Sequence, residues 1–289
     1  MSYEVWPGPM EGVAQEAFVR TANELRLIER WMTPFCRLSC ALPHTGKLRS
    51  FLAPFAAGNL PVTVQLMGVD PELTAAAAAI FADLGAAGIN LNFGCPSNRV
   101  TAGNAGGGAW KHPDDILRIC AACRKVLPPQ VPLSIKCRAG WDDPAAVNTL
   151  LPKLAADALA DKIFFHYRTV SEHYSSAPLL CREQRFQAAV MAAAPLPVIL
   201  NGDISTAAEA DALVKCCGGA GVMCARTWMR DPWLLRRIAG NDAPDPERGR
   251  EDFFAAFLQT APPPGAKLEL ARMLWGSNSL RFRELLPHP

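Results

Sequence analysis

The sequence lacks the segments that would carry a protein into or across a membrane. Residues 1–4 contain neither the basic stretch nor the apolar stretch of a secretory signal. The longest apolar run, at residues 75–81, is much shorter than the ~20 residues that a membrane-spanning helix needs. We therefore expect a cytoplasmic protein that makes no membrane contact.

A strong excess of one charge is also absent. The formal net charge at pH 7 is only +2, and the isoelectric point is about 8.0. No part of the chain is basic enough to indicate nucleic-acid binding by composition alone. RNA binding is still compatible with this balance if the basic side chains gather on one face.

The ten cysteines do not form a metal-binding pattern. Cys120 and Cys123 make a CxxC pair in a segment with helical periodicity, but no second pair accompanies them. Cys36 and Cys40 have no histidine at the spacing of a zinc site. A long chain without a secretory signal favours reduced thiols. We expect no metal site and no disulfide framework.

The segments that are present alternate between strand and helix patterns. Apolar runs predict strands at residues 29–35, 60–68, 88–93, 131–138, 162–168 and 221–226, and strands that end in a loop at residues 5–13 and 196–204. Helical patterns lie between them at residues 18–27, 70–86, 113–126, 145–159, 182–193 and from 205, and a last helix begins at 231–233. Residues 43–58 show no clear period and are predicted to be a loop.

Eight such units favour a (β/α)8 TIM barrel over an open doubly wound sheet. The glycine fingerprint of a dinucleotide-binding fold is missing from the first unit, which points the same way. We place the barrel at residues 1–240. A polar, proline-rich linker follows at 241–248, and residues 241–289 as a whole predict a short helical appendage. Its two helices, at 251–259 and 265–275, are separated by three prolines at 262–264.

Polar side chains close most of the apolar strands. They are Gln65, Asn92, Cys95, Lys136, Arg138, His166, Arg168, Asn201 and Arg226. Because catalytic groups of TIM barrels lie at the carboxyl ends of strands, we predict one shared active site at this rim. The turns after strands seven and eight, Asn201-Gly202-Asp203 and Ala225-Arg226, stand where many barrels bind phosphate.

Cys95 is the one thiol among these strand-end side chains. It lies in the segment NLNFGCPS at residues 90–97, followed by a glycine cluster at 103–108. The residues alone predict a barrel enzyme that holds a phosphate and uses the cysteine as an acid or a nucleophile. A buried, inert thiol in a turn is the alternative.

Several motifs, in order along the chain, resemble those of the tRNA-dihydrouridine synthases, flavoenzymes that reduce uridine in tRNA to 5,6-dihydrouridine. The matching segments are GPMEGV (8–13), VQLMG (64–68), NLNFGCPS (90–97), GGGA (106–109), LSIKCRAGW (133–141), HYRT (166–169), NGDI (201–204) and DPW (231–233). The resemblance implies FMN at the barrel mouth, NADPH as the reductant and tRNA as the partner. It leaves the oligomeric state open, with a monomer favoured.

The resemblance also implies roles for single residues. Cys95 would be the general acid that protonates uracil C5 while reduced flavin passes hydride to C6. The residues implied to bind the cofactor are Pro9, Met10, Gln65, Lys136, His166, Asn201, Gly202, Asp203, Ala225 and Arg226. Those implied to face the substrate are Asn92, Arg138 and Arg168. Candidates for contacts to RNA phosphates are Arg182, Arg185, Lys267, Arg272, Arg281 and Arg283.

The chain departs from the family pattern at three residues. Tyr167 puts a bulky ring where the family usually has glycine. Ala225 and Thr227 stand at two further glycine positions, at the phosphate end, where a left-handed backbone would be strained. We therefore expect weaker FMN binding than is usual. The helical appendage is also shorter than the tRNA-binding domain of the family. Two other functions stay open: a flavin barrel enzyme acting on a free pyrimidine, as dihydroorotate dehydrogenases do, and an RNA-binding relic with weakened FMN binding.

Overall fold

A computed structural model describes residues 3–263 and 265–286. Its central element is one sheet of eight parallel strands in the order β1-β8-β7-β6-β5-β4-β3-β2. The strands are β1 Glu4–Pro7, β2 Trp31–Arg37, β3 Val62–Met67, β4 Gly88–Phe93, β5 Leu133–Arg138, β6 Lys162–His166, β7 Val198–Asn201 and β8 Gly221–Cys224. Because β1 pairs with β8, the sheet curls into a barrel, and in the described chain only the seam between β1 and β2 lacks a ladder. The predicted TIM barrel is confirmed.

Helices cover the outside of the barrel. They are α1 Glu16–Glu24, α2 Thr45–Ala56, α3 Pro71–Asp83, α4 Asn98–Thr101, α5 Pro113–Val126, α6 Val147–Ala156, α7 Arg182–Ala193, α8 Ala207–Cys217, α9 Arg226–Arg230, α10 Leu234–Ile238, α11 Pro246–Gln259, α12 Ala266–Trp275 and α13 Leu280–Glu284. Short 3-10 helices lie at Gly106–Lys111, Pro144–Ala146 and Ala177–Cys181. None of the described helices combines the length and the apolar composition needed to cross a bilayer.

The prediction of a loop at residues 43–58 is wrong, because α2 occupies most of that segment. Leu48, Leu52 and Phe55 follow one another at helical spacing and are all buried against the barrel. His44 caps the helix by accepting a hydrogen bond from the backbone N–H of Gly46. Pro54 lies inside the helix and obscures this pattern in the sequence.

The interior of the barrel is filled by an apolar layer below the site. Trp6, Met32, Phe164, Ile199 and Met223, from five different strands, form this buried cluster. The Trp6 and Phe164 rings meet edge to face, with their centroids 4.9 Å apart. The layer closes the barrel as a packed core, so a ligand can enter only from the rim above it.

The chain after the barrel folds back onto the first helix. The Phe253 ring of α11 lies 5.1 Å from Phe18 of α1, and Phe254 lies 5.2 Å from Trp275 of α12. Helix α11 begins at Pro246, inside the predicted linker, because Asp245 accepts hydrogen bonds from two backbone N–H groups of its first turn. Pro264, part of the predicted break, lies outside the described residues, and the division at residue 240 stays a prediction.

Candidate active site

A cavity of about 340 Å³ opens at the carboxyl ends of the strands. Thirteen of the fourteen predicted site residues line it: Pro9, Met10, Gln65, Asn92, Cys95, Lys136, Arg138, His166, Asn201, Gly202, Asp203, Ala225 and Arg226. A larger cavity of about 840 Å³ opens at the opposite end, near Glu4 and Arg30. Those two side chains pair with each other at 3.2 Å, and none of the motifs lies there. The smaller cavity is therefore the candidate site.

Cys95 is held at the rim by the side chain of Asn92. The Asn92 Oδ1 atom accepts hydrogen bonds from the backbone N–H groups of Gly94, at 3.1 Å, and Cys95, at 3.0 Å. This turn ends β4 sharply and leaves the half-buried thiol facing the cavity. An asparagine at this position thus fixes where the sulfur stands.

The glycine cluster supports Cys95 from behind. Gly106 has φ +54°, and a Cβ atom there would lie 2.8 Å from Val100 and 3.1 Å from the Cys95 Cβ. The Gly107 N–H donates to the Cys95 carbonyl at 3.0 Å. The cluster forms the start of a 3-10 helix packed on the thiol segment. Glycine is required because the two backbones approach closely.

Buried amides connect the floor of the cavity to Cys95. Asn92 Nδ2 donates to Gln65 Oε1 at 2.8 Å, and Gln65 Nε2 donates to Asn90 Oδ1 at 2.8 Å. Asn90 Nδ2 in turn donates to Ser134 Oγ at 2.9 Å. Each member is buried and each bond orients the next one. Asn90 and Ser134 were not predicted as site residues, although both interrupt otherwise apolar strands.

Two cations face the cavity without a carboxylate partner in the part of the chain that is described. Burial, with the nearby Arg138 charge, lowers the pKa of Lys136 to about 8. Burial also lowers the pKa of Arg138 to about 10. Arg138 is held by backbone carbonyls instead: Nε donates to Gly94 at 3.0 Å and Nη1 to Thr169 at 2.8 Å. The wall is therefore positive and fits an anionic ligand.

His166 stands in this positive wall as a neutral imidazole. Burial, followed by the charges of Arg138 and Lys136, holds its pKa well below the ordinary value. Its Nδ1 atom accepts the backbone N–H of Arg168 at 3.2 Å. The remaining proton therefore lies on Nε2, which makes that atom a hydrogen-bond donor.

The turn after β7 has the features of an anion site. Gly202 has φ +127° and Asp203 has φ +51°, so the backbone reverses tightly at this point. The N–H groups of Gly202, Asp203 and Ile204 donate to no other described residue. Arg226, on the neighbouring strand end, approaches Asp203 with Nη2 at 2.9 Å from Oδ1. Free N–H groups beside an arginine suit a phosphate.

The strain expected at two non-glycine positions is absent. Ala225 has φ −114°, and Thr227 lies within helix α9. Neither residue adopts a left-handed conformation, so neither requires glycine. Gly8 makes room for Ala225 instead, since a Cβ at Gly8 would lie 2.5 Å from the Ala225 Cβ. Weak FMN binding stays a prediction, but backbone strain at Ala225 and Thr227 no longer supports it.

Arg168 is the one predicted site residue that does not line the cavity. Its side chain is only 3% exposed and lies inside the protein. Nε donates to the Ser175 carbonyl at 2.6 Å, and Nη2 lies 2.5 Å from Asp203 Oδ2. A direct contact between Arg168 and the substrate therefore has no support from this geometry.

Three of the arginines predicted to contact RNA phosphates are committed to carboxylates. Arg182 pairs with Glu209 at 2.6 Å, Arg185 with Glu172 at 2.8 Å and Arg281 with Glu251 at 2.8 Å. Arg272, in contrast, lines a second cavity that adjoins the site. The first two arginines brace the loop and turn around β6 and β7.

Tyr174 lines the cavity and was not predicted from the sequence. Its ring is 56% exposed, with the Arg226 guanidinium 4.4 Å and the Arg138 guanidinium 5.5 Å from the ring centroid. It lies in the loop after β6, outside every motif, so only its proximity to a strand end could have indicated it. Glu11 and Phe35 also line the cavity.

Nothing in the described residues indicates a metal centre. No group of three or more His, Cys, Asp or Glu side chains converges there at metal-binding distances. All ten cysteines are free thiols. Cys120 and Cys123 are buried in α5, where burial raises the pKa of Cys123 to about 12. They behave as apolar core residues.

The thiol, the amides and the cations of this site lie at the carboxyl ends of the barrel strands. TIM-barrel enzymes place their active sites at the same end of the barrel. The model of the dihydrouridine synthase family matches residues 7–261, and the chain belongs to that family. The resemblance found in the motifs is thereby confirmed.

Comparison with individual proteins gives the same result. The tRNA-dihydrouridine(16) synthase of Vibrio cholerae is 29% identical over 257 residues, covering 87% of this chain and 78% of that protein. A probable tRNA-dihydrouridine synthase of Rhodobacter capsulatus is 38% identical over 187 residues, covering 65% of this chain and 56% of that protein. Among solved structures, morphinone reductase in complex with tetrahydroNAD superposes with a TM-score of 0.56 at 14% identity, covering 86% of this chain and 89% of that one. This last likeness concerns the fold alone.

The unpaired charge of Lys136 should reduce stability. A folded-state pKa near 8 lies below the unfolded value near 10.5, so the folded protein gives up this proton more readily. We predict that Lys136→Met raises the free energy of unfolding by roughly 2–3 kcal/mol at pH 7. The difference in the free energy of unfolding between the variant and the wild type should shrink as pH rises from about 8 to 10.5. Urea unfolding at several pH values measures it.

Lys162→Met is the matched control, because Lys162 is a strand lysine that pairs with Glu4 at 2.5 Å. Its replacement should lower stability, since it leaves Glu4 short of a partner. Equal effects of the two substitutions would contradict an uncompensated charge at Lys136.

Proposed function

We propose that the chain is an FMN-dependent tRNA-dihydrouridine synthase. It reduces the C5=C6 bond of a uridine in tRNA and uses NADPH as the reductant, so NADPH and a proton become NADP⁺ as the pyrimidine gains two hydrogens. Family membership supports this proposal, and the observation that carries it is the half-buried Cys95 thiol at a rim shared with Lys136 and His166. A cytoplasmic location is part of the same proposal.

The residues of the cavity fit FMN. The volume of about 340 Å³ lies at the lower end of the range for small-ligand sites. The free N–H groups at residues 202–204 and the guanidinium of Arg226 suit a phosphate. Lys136, which has no carboxylate partner, suits a ring that gains negative charge on reduction. Bound FMN, reduced by NADPH, supplies the hydride that uracil C6 accepts.

The protein's own contribution is proton delivery and orientation. The Cys95 Sγ–H donates the proton that C5 gains, which requires a thiol that is protonated before the reaction. Asn92 fixes the Cys95 backbone, so the sulfur approaches from one direction. Arg138 keeps Nη2 free of other described residues and can donate to a uracil carbonyl. His166 donates through Nε2.

A uridine must leave its stack to reach a cavity at the mouth of a barrel. Unpaired loop nucleotides are the natural targets, because little pairing energy is lost on extrusion. A second cavity of about 430 Å³ continues from the site, with Met10 and Arg226 in the linings of both. It runs between the barrel and the appendage, and we infer that it holds the RNA next to the target.

Two arginines in this groove are available for phosphates. Arg230 of α9 and Arg272 of α12 are exposed, and neither has an ion pair within the described parts of the chain. They face the groove from the barrel and from the appendage respectively. Met273 and Trp275 form its apolar wall. This arrangement suits a nucleotide whose phosphate contacts cations and whose base lies on apolar side chains.

Cys95→Ala tests the proposed acid. We expect the variant to bind FMN as the wild type does and to form dihydrouridine in transcribed tRNA at least a hundredfold more slowly, because the proposed proton donor is missing. Cys40→Ala, at an exposed thiol away from the cavity, is the control and should retain full activity. A Cys95→Ala variant with near wild-type turnover would refute the role.

Arg230→Ala and Arg272→Ala test the groove. Loss of a phosphate contact should raise the KM for tRNA severalfold in each single variant and about tenfold or more in the double variant. FMN affinity should not change, since neither arginine lines the cofactor cavity. The KM should also become less dependent on salt concentration.

Arg118→Ala removes an exposed positive charge from α5, on the outside of the barrel, and serves as the charge-matched control. An equal rise in KM for this variant would mean that only overall charge matters. If the KM for tRNA rises in neither Arg230→Ala nor Arg272→Ala, the RNA does not bind in this groove.

A further inference from the structure

Tyr167 fills a space that the family pattern leaves to glycine. It is fully buried, stacks on the His166 ring at 5.3 Å with an interplanar angle of 11°, and meets Phe186 edge to face at 5.6 Å. A buried phenol needs a hydrogen-bond partner. Its hydroxyl donates to Asp203 Oδ2 at 2.6 Å.

The carboxylate of Asp203 interacts with three side-chain donors. Besides Tyr167, Arg168 Nη2 lies 2.5 Å from Oδ2 and Arg226 Nη2 lies 2.9 Å from Oδ1. Burial alone would raise the pKa of this carboxyl, but the hydrogen bonds from Tyr167 and Arg168 hold it below its usual range. Asp203 is therefore a carboxylate whose charge is compensated from both sides.

Tyr167 also shapes the turn that carries Asp203. A Cβ atom at Gly202 would lie 2.8 Å from the Tyr167 Cε1 atom, so the ring lies directly on this glycine. Asp203 itself has φ +51°, a conformation that needs support from its surroundings in a residue other than glycine. The phenol supplies that support by packing and by its hydrogen bond.

This carboxylate creates an electrostatic problem at the phosphate end. Arg226 lines the cavity together with this turn, yet it is paired with Asp203. A phosphate can take Arg226 only if Asp203 stays compensated by other partners. Tyr167 and Arg168, both buried, are the two partners that remain.

We propose that Tyr167 is a positioning residue for the cofactor phosphate. With Arg168, its hydroxyl compensates Asp203 and fixes the turn at Gly202, which frees Arg226 and the backbone N–H groups to bind the phosphate of FMN. The inference rests on the proposed function, since it takes FMN as the cofactor.

Riboflavin separates this role from a general structural one, because it has the ring and ribityl chain of FMN but no phosphate. We expect Tyr167→Phe to raise the Kd of the refolded apoprotein for FMN about tenfold and that for riboflavin less than twofold, measured by quenching of flavin fluorescence. Tyr3→Phe is the matched control. It removes an equivalent tyrosine–aspartate bond, to Asp211 at 2.5 Å, at the opposite end of the barrel. Neither Kd should change in it.

Asp203→Asn tests whether Tyr167 acts through the carboxylate. The Asp203→Asn variant has no carboxylate charge at residue 203 to compensate. Adding Tyr167→Phe to this variant should therefore change the Kd for FMN less than twofold. If Tyr167→Phe does not fold, Asp203→Asn alone should still change the Kd for FMN and leave that for riboflavin unaltered.

An equal loss of both flavins in Tyr167→Phe, or an unchanged Kd for FMN, would overturn the inference while the proposed function stands. A wild-type protein that binds neither flavin would overturn both.

Discussion

Uncompensated positive charge at the barrel mouth is the constraint on which the rest of the site depends. Lys136 and Arg138 face the cavity, and neither forms an ion pair with a carboxylate among the described residues, although Glu11 and Asp203 line the same cavity. Such burial costs free energy that the folded protein must carry until a ligand offsets it. Burial, followed by these same charges, keeps the pKa of His166 low, so that the imidazole is neutral and can act as a donor. The cations therefore lower the stability of the folded protein at the site that suits an anionic ligand.

The barrel brings these groups together through strand register. Asn92 pairs with Lys136, and Arg138 pairs with His166, which pairs with Asn201. Neighbouring parallel strands therefore place an amide, two cations and an imidazole side by side on one rim. The buried amides below them fix Asn92, and through it the Cys95 turn. The register of the strands therefore determines, through Asn92, where the Cys95 thiol lies.

Much of this could be predicted because strand ends and cavity coincide in a TIM barrel. Thirteen of fourteen residues line one cavity for that reason. Arg168 does not line the cavity, because its guanidinium turns to the Ser175 carbonyl and the Asp203 carboxylate, and no local pattern in the sequence shows this turn. Helix α2 was missed because Pro54 obscured its period. Tyr174 reaches the site from a loop, and its contacts depend on tertiary structure that no local pattern encodes.

In the proposed function, the cavity holds the cofactor and the groove beside the appendage holds the RNA. Helix α11 packs on α1 through the Phe253–Phe18 contact and on α12 through the Phe254–Trp275 contact, and Arg230 and Arg272 line the same groove. The most direct test of the account is to incubate the purified protein with NADPH and transcribed tRNA and to search digested nucleosides by mass spectrometry. The account predicts a uridine that gains the mass of two hydrogens, with no turnover of free uracil or orotate. Reduction of the free pyrimidines with none in tRNA would contradict it.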